Sequence, residues 1–145
     1  MTVLLCFSLI LGNATSISFG ILLFNHHNEK PAPPKQAKSE WKSIRKEPDK
    51  SKGKVVVWKA KVTFNFETEV HANLEGDWHC GIELCVFTRN LMGDVYRLTW
   101  SEAVERSWVP RIVRDDWIVF TGTFIQVENS GDLLFEIRKV NNLGP

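Results

Sequence analysis

From Val55 to Phe66 the chain alternates between apolar and polar residues, and no other stretch restricts the fold as much. Val56, Trp58, Ala60, Val62, Phe64 and Phe66 are apolar, with Lys59, Lys61, Thr63 and Asn65 between them; Val57 alone breaks the pattern. A period of two is that of a β-strand with one face in a core and the other in water. The stretch runs for about twelve residues, roughly double the usual strand length. Strands that long bend or coil to serve two sheets or to close a small barrel.

The segments that follow supply partners for this strand. Asn73 to Asp77, with Gly76-Asp77, reads as a turn. Trp78, Cys80, Ile82, Leu84 and Val86 then alternate with His79, Gly81, Glu83 and Cys85, which predicts a second strand. Asn90 to Asp94, with Gly93, gives the next reversal, and Val95 to Trp100 reads as a third strand. Ser101 is placed to cap a short helix reaching Ser107, with Glu102 and Glu105 near its positive end, and Pro110 stops it. Trp117 to Phe124 is the fourth strand, in which Gly122 marks a bend or bulge. Asn129-Ser130-Gly131-Asp132 is a hairpin loop before the fifth strand, Leu133 to Val140. The expected fold class is all-β: a small five-stranded OB-like Greek-key barrel with one short helix, over residues 54–145. Six Trp and nine Phe fill such a core without disulfides.

The segment Arg114-Asp115-Asp116-Trp117-Ile118-Val119-Phe120-Thr121-Gly122-Thr123-Phe124 resembles the fourth strand of OB-fold domains, where an acidic turn residue precedes alternating apolar residues and a glycine. Together with the element order over about residues 54–140, it is similar to the tRNA-anti-like OB domains. The resemblance implies a barrel behind an N-terminal membrane segment and carries no catalytic residue across.

Thr2 to Phe24 holds no charged side chain and is rich in Leu, Ile, Val and Phe. As a helix it would be about 34 Å long, enough to cross a bilayer. Asn13, Thr15, Ser16 and Ser18 interrupt its middle. A cleaved signal peptide, with Gly12 and Ala14 before the cut, is the competing reading. Against it, Met1-Thr2-Val3 carries no positive charge, and cleavage would leave Ile17 to Phe24 as an exposed apolar tail. Residues 1–24 are therefore read as a transmembrane anchor. Residues 25–53 read as a basic Pro/Lys-rich linker, with Pro31-Ala32-Pro33-Pro34 extended. Its only large apolar residues are Trp41 and Ile44, whose spacing allows one helical turn or a surface contact; a solvated tether is preferred. His26 and His27 read as an interfacial pair.

Charge is uneven along the chain. Residues 25–52 hold eight Lys or Arg and four Asp or Glu; residues 53–145 hold ten and thirteen. Lysines follow the apolar run and none precedes it, which by the positive-inside bias places the C-terminal domain in the cytoplasm. The same lysines are drawn to anionic headgroups at roughly 1 kcal/mol each. An extracytoplasmic or periplasmic domain is the alternative topology.

No arrangement in the sequence points to chemistry. His79, Cys80 and Cys85, with His71 from another strand, lack the paired C-x2-C spacing of common zinc sites. An odd separation along one strand also sets Cys80 and Cys85 on opposite faces, against a disulfide. No nucleophile elbow, phosphate loop, dinucleotide fingerprint or His-Glu-x-x-His is present, and Asp115-Asp116 reads as turn chemistry. We therefore expect no enzyme activity, no cofactor and no metal. The cations available to a partner are Lys59, Lys61, Arg89, Arg97, Arg111 and Arg114. Nucleic acid is disfavoured because phosphate neutralisation dominates such affinity and the barrel segment is net acidic. The sequence leads to a membrane-tethered, non-catalytic module that binds a protein partner, with nucleic-acid binding the alternative.

Overall fold

The computed structural model describes residues 30–145; the expected anchor, and His26 and His27, lie outside the described residues. Six strands are found there: β1 (Val55–Asn65), β2 (Val70–Leu74), β3 (Gly81–Arg89), β4 (Val95–Leu98), β5 (Trp117–Val127) and β6 (Leu133–Gly144). Three helices accompany them: α1 (Pro34–Lys46), α2 (Pro48–Ser51) and α3 (Trp100–Glu105). The chain is thus mostly β. The strands hydrogen-bond in the order β2-β1-β5-β6-β3-β4, and β2 also pairs with β3. Five strands therefore form a ring, and β4 hangs on β3 as an outer arm. Every pairing is antiparallel except that of β3 with β6.

The alternation of β1 does what period two requires, up to a point. Val56, Trp58, Ala60 and Val62 are buried, and Trp58 forms edge-to-face contacts with Phe120 and Phe135, at centroid distances of 6.3 and 5.2 Å. Phe124 packs on Phe135 in the same way at 5.7 Å. Edge-to-face packing sets positive ring edges against negative faces, which adds to the burial of these large side chains. Beyond Val62 the expectation fails. The register of β1 on β2 slips between Val62 and Phe64, and Phe64 and Phe66 are 51% and 44% exposed. A bulge bends a strand and re-aims the side chains that follow it. The two phenylalanines leave the core for that reason.

Sequence periodicity missed β2, whose Val70, Ala72 and Leu74 face inward. The reversal after it is tighter than expected: Glu75 and Gly76 take positive φ of 54° and 74°. Trp78 and His79 then belong to a turn, in which Asp77 accepts hydrogen bonds from the His79 and Cys80 backbone N–H groups. The predicted second strand accordingly starts at Gly81 rather than Trp78. The predicted fourth strand is β5, and the β5–β6 register slips at Thr121/Gly122 as that glycine implies. A β-carbon at Gly122 would stand 3.1 Å from the Phe135 β-carbon and 3.2 Å from the Phe120 ring. Helix α3 begins two residues early, capped by Thr99 rather than Ser101. The Thr99 hydroxyl accepts from the Glu102 N–H and the Glu102 carboxylate accepts from the Thr99 N–H, a complete capping box.

The largest correction concerns the expected linker. Residues 34–46 form helix α1, whose Ala37, Trp41 and Ile44 are buried in the same core as the strands. Spacings of four and three place these residues on one helical face. The Trp41 indole N–H donates to the Gly81 carbonyl at 3.1 Å, and the Trp58 indole N–H donates to the Glu40 carboxylate at 2.9 Å. The prolines read as extended chain are helix starters: Pro34 opens α1 and Pro48 opens α2, where a missing N–H does no harm. The compact unit accordingly spans Pro31–Pro145. Among the described residues no helix is long and apolar enough to cross a membrane.

Candidate functional site

Three surfaces of the folded unit combine exposed chemistry with a defined shape. The first is a cleft of about 640 Å³ at the outgoing end of β1, lined by Phe64, Phe66, Trp100, Ile112, Val113 and Arg114 among others. The bulge in β1 turns Phe64 and Phe66 outward, and their rings stack at 4.4 Å with 28° between planes. The cleft is held rigidly. Asn65 donates to the Ile112 carbonyl at 2.9 Å, and the Trp100 backbone N–H donates to the Glu67 carbonyl at 2.7 Å. The Trp100 indole N–H donates to the Pro110 carbonyl at 3.2 Å. Asp116 is buried and ties the same loop down: its carboxylate accepts from the Val113 N–H and from Asn142. Asp115, at φ 73°, makes the turn into β5. The acidic pair therefore serves turn and strand-start roles, as the sequence implies.

The second surface is a groove of about 490 Å³ beside α1, lined by Lys38, Trp41, Lys42, Arg45, Asp77, His79 and Cys80. Lys38 pairs with Asp77 at 3.1 Å, and the His79 Nδ1 lies 3.0 Å from the other Asp77 oxygen. The His79 backbone N–H and the Lys38 ammonium hold the Asp77 carboxyl down to about 2. Trp78, 75% exposed, stacks on the His79 ring at 3.7 Å. With α1 included, the folded unit carries 17 Lys or Arg and 16 Asp or Glu. The acidic balance read from the sequence belonged to a truncated domain.

The third surface lies on β2 and β3, where His71 and Glu83 are cross-strand partners. Their side chains approach to 2.8 Å, and Glu69 lies 3.6 Å from the same imidazole nitrogen. Arg97 stands 3.7 Å from Glu69 and 3.9 Å from Glu128. Burial is the main influence pushing the Glu83 carboxyl above its ordinary value, and the His71 charge opposes it.

The six cations named from the sequence do not form one patch. Lys59 and Lys61 lie over the Trp117 ring, at 4.8 and 5.8 Å from its centroid. Arg114 borders the aromatic cleft, and Arg111 a neighbouring depression that shares Asn65, Trp100, Ser101 and Ile112 with it. Arg97 belongs to the acidic surface, and Arg89 donates to the Gly93 carbonyl in the β3–β4 hairpin. Among the described residues the thiols of Cys80 and Cys85 are free and buried. Burial raises both, Cys85 to about 12, and the Cys85 thiol donates to the Phe135 carbonyl at 3.4 Å. Among the described residues the cluster of metal-ligating side chains is Glu69, His71 and Glu83, not the His79–Cys80–Cys85 set. Sequence reasoning missed Phe64 and Phe66 by assigning them to the core, and it set the lysines drawn to anionic headgroups in a tether, whereas those of residues 34–46 lie on α1. Comparison with family models, curated proteins and solved structures finds no match to this chain.

Proposed function

We propose that this chain is a membrane-tethered, non-catalytic binding module on an OB-like Greek-key barrel, and that it holds a protein segment in the aromatic cleft. The meander β1-β2-β3, the parallel β3–β6 pair and the helix before β5 support the OB-like reading. The tether rests on the uncharged run Thr2–Phe24, and the cytoplasmic placement on the lysines that follow it. The single observation that carries the binding role is the exposed Phe64–Phe66 stack at the lip of a preformed cleft. Stacked aromatics on a strand end offer large apolar area with little side-chain entropy to lose. Such clefts take an apolar anchor from a partner, and Arg114 stands beside it to meet a carboxylate.

One observation favours a second contact. Lys35, Lys38, Lys42 and Arg45 recur along α1 at helical spacing, next to exposed Trp78. A basic stripe beside an amphipathic Trp suits anionic lipid headgroups, which an anchored domain meets at no cost in translation. Single-stranded nucleic acid has less to recommend it. OB domains that bind oligonucleotides use the face of their second and third strands, and here that face carries Glu69, His71 and Glu83.

The test uses the full chain in membranes, with a photoreactive residue at exposed Val113. A cross-link to a partner protein of one size is expected. It should be lost in a Phe64→Ser/Phe66→Ser variant and kept in Lys42→Glu. Cross-links to nucleic acid, or a partner unaffected by losing both phenylalanines, would overturn the reading. Melting of the double variant should stay within about 1 kcal/mol of wild type, because both rings are exposed.

A further inference from the structure

Neither the cleft nor the basic stripe uses the Glu69–His71–Glu83 cluster. The His71 Nε2 lies 2.8 Å from Glu83 Oε1 and 3.6 Å from Glu69 Oε1, and the three ligand atoms all fall within 4.8 Å of one another. Ions bound at about 2.0–2.2 Å hold neighbouring ligand atoms roughly 2.9–3.5 Å apart, along the edges of an octahedron or tetrahedron. The two distances from Nε2 fall at either edge of that range, and the two carboxylates lie within 4.8 Å of each other, so small side-chain adjustments bring all three ligand atoms onto one ion.

Two further observations point to a ligand. Nε2 is itself closed to solvent, yet it makes no aligned hydrogen bond; the 2.8 Å approach of Glu83 is misdirected for one. A buried ring nitrogen that faces carboxylates but makes no aligned hydrogen bond is incompletely satisfied. Glu69 is meanwhile divided. Its Oε2 accepts from the Thr68 hydroxyl at 2.7 Å and faces Arg97 at 3.7 Å, which leaves Oε1 turned toward the imidazole. Phe66 packs edge-on against the ring at 4.8 Å, and Thr63 anchors the His71 backbone by donating to its carbonyl at 3.1 Å. Outer contacts that fix the orientation of ligating side chains are what metal sites require.

We infer that His71 Nε2, Glu69 Oε1 and Glu83 Oε1 bind a divalent transition-metal ion of the Zn²⁺ type, with water completing its shell. One imidazole and two carboxylates suit such an ion better than Mg²⁺ or Ca²⁺, which take oxygen ligands alone. Side chains of His71 and Glu69 that are about a quarter exposed, at 26% each, leave an open coordination position and let the ion exchange. Bound there, the ion joins the β1–β2 turn to β3 and neutralises two carboxylates, of which Arg97 faces only Glu69, at 3.7 Å.

The competing account is an imidazolium held between two glutamates, with no ion. Full-length chain, stripped by a chelator that is then removed, is titrated with Zn²⁺ by calorimetry, and Co²⁺ serves as the spectroscopic probe. One saturable Zn²⁺ site is expected, undisturbed by millimolar Mg²⁺. Glu69→Gln and Glu83→Gln keep side-chain shape, and each should weaken binding about tenfold or more. Glu69 lies in a half-exposed turn, so its variant stays folded and keeps the test decisive even where Glu83→Gln perturbs the sheet. The Co²⁺ spectrum should lack a thiolate charge-transfer band, since Cys80 and Cys85 are not ligands. No saturable Zn²⁺ binding, binding unchanged in both glutamine variants, or thiolate ligation of Co²⁺ would each overturn the site.

Discussion

Helices α1 and α3 pack at opposite ends of the strand ring and are held there by different means. Helix α1 packs where β1, β3 and β6 begin: it bonds to Gly81 and to Trp58, and Arg45 approaches Gly131. It has 13 residues, no side-chain cap and a long list of cations, and it is held by Ala37, Trp41 and Ile44 pressed into the core. Helix α3, with six residues, lies where β1 ends and carries a complete capping box over two buried side chains, Trp100 and Ala103. One helix exists because of what it covers, and the other because of how it starts. The end under α1 is closed, whereas the end beside α3 is left with the aromatic cleft.

The largest expected effect comes from removing α1. A chain starting at Lys50 loses all three of its core residues and uncovers the ring interior. Trp→Ala alone costs about 3–5 kcal/mol and Ile→Ala about 2–5 in a packed core, together comparable with a whole domain's stability. That chain should show no cooperative melt and a collapsed proton spectrum. If it folded, α1 would be a tether after all. Trp41→Ala in the full chain should cost about 3–5 kcal/mol. Trp41→Phe separates the indole bond to Gly81 from the packing and should cost about 1–3 kcal/mol, since the buried carbonyl is orphaned. Denaturant midpoints at constant slope give both values.

Next comes the cap of α3. Thr99→Ala removes the acceptor for the Glu102 N–H and should cost about 1 kcal/mol. Replacing it with Ser should restore most of that. A loss as large as that of Trp41→Ala would mean that α3 is as deeply tied to the core as α1, and the contrast between the helices would fail.

The same contrast explains what the sequence made legible. Period two in β1 and β5 located two strands of the ring, because alternation is a local record of which face is buried. The polar start at Ser101 and the stop at Pro110 located α3, because helix ends are written in neighbouring residues, although the cap is Thr99, two residues earlier. Helix α1 was hidden because its apolar face is narrow, one of its three core residues is only an alanine, and lysines fill the remainder. Strand β2, with five residues, is too short for periodicity to outweigh the turn signals around Asn73 and Gly76. The aromatic cleft was illegible for another reason. The bulge after Val62 arises from the pairing of β1 with β2, and nothing in Phe64 or Phe66 records it. His71 and Glu83 meet only through strand register, so a search for Cys and His spacing passed over them.

The smallest expected effect concerns Asp77, which links α1 to the turn before β3. Its carboxyl is held at about 2, below the 3.8 of an ordinary aspartate, first by the His79 backbone N–H and next by Lys38. A folded-state value below the unfolded one adds stability that is present above pH 3.8 and is lost as pH falls toward 2. Asp77→Asn should therefore lower the melting temperature slightly at pH 6, and the difference from wild type should vanish near pH 2. The group is solvent-exposed, so the gap will be small and will narrow in salt. Lys38→Ala divides the two causes. Because the His79 N–H is the larger, most of the acid dependence should survive in Lys38→Ala, and only Asp77→Asn should flatten it. Equal flattening by both variants would make the α1 ion pair the dominant tie, and α1 would then be held by charge as well as by burial.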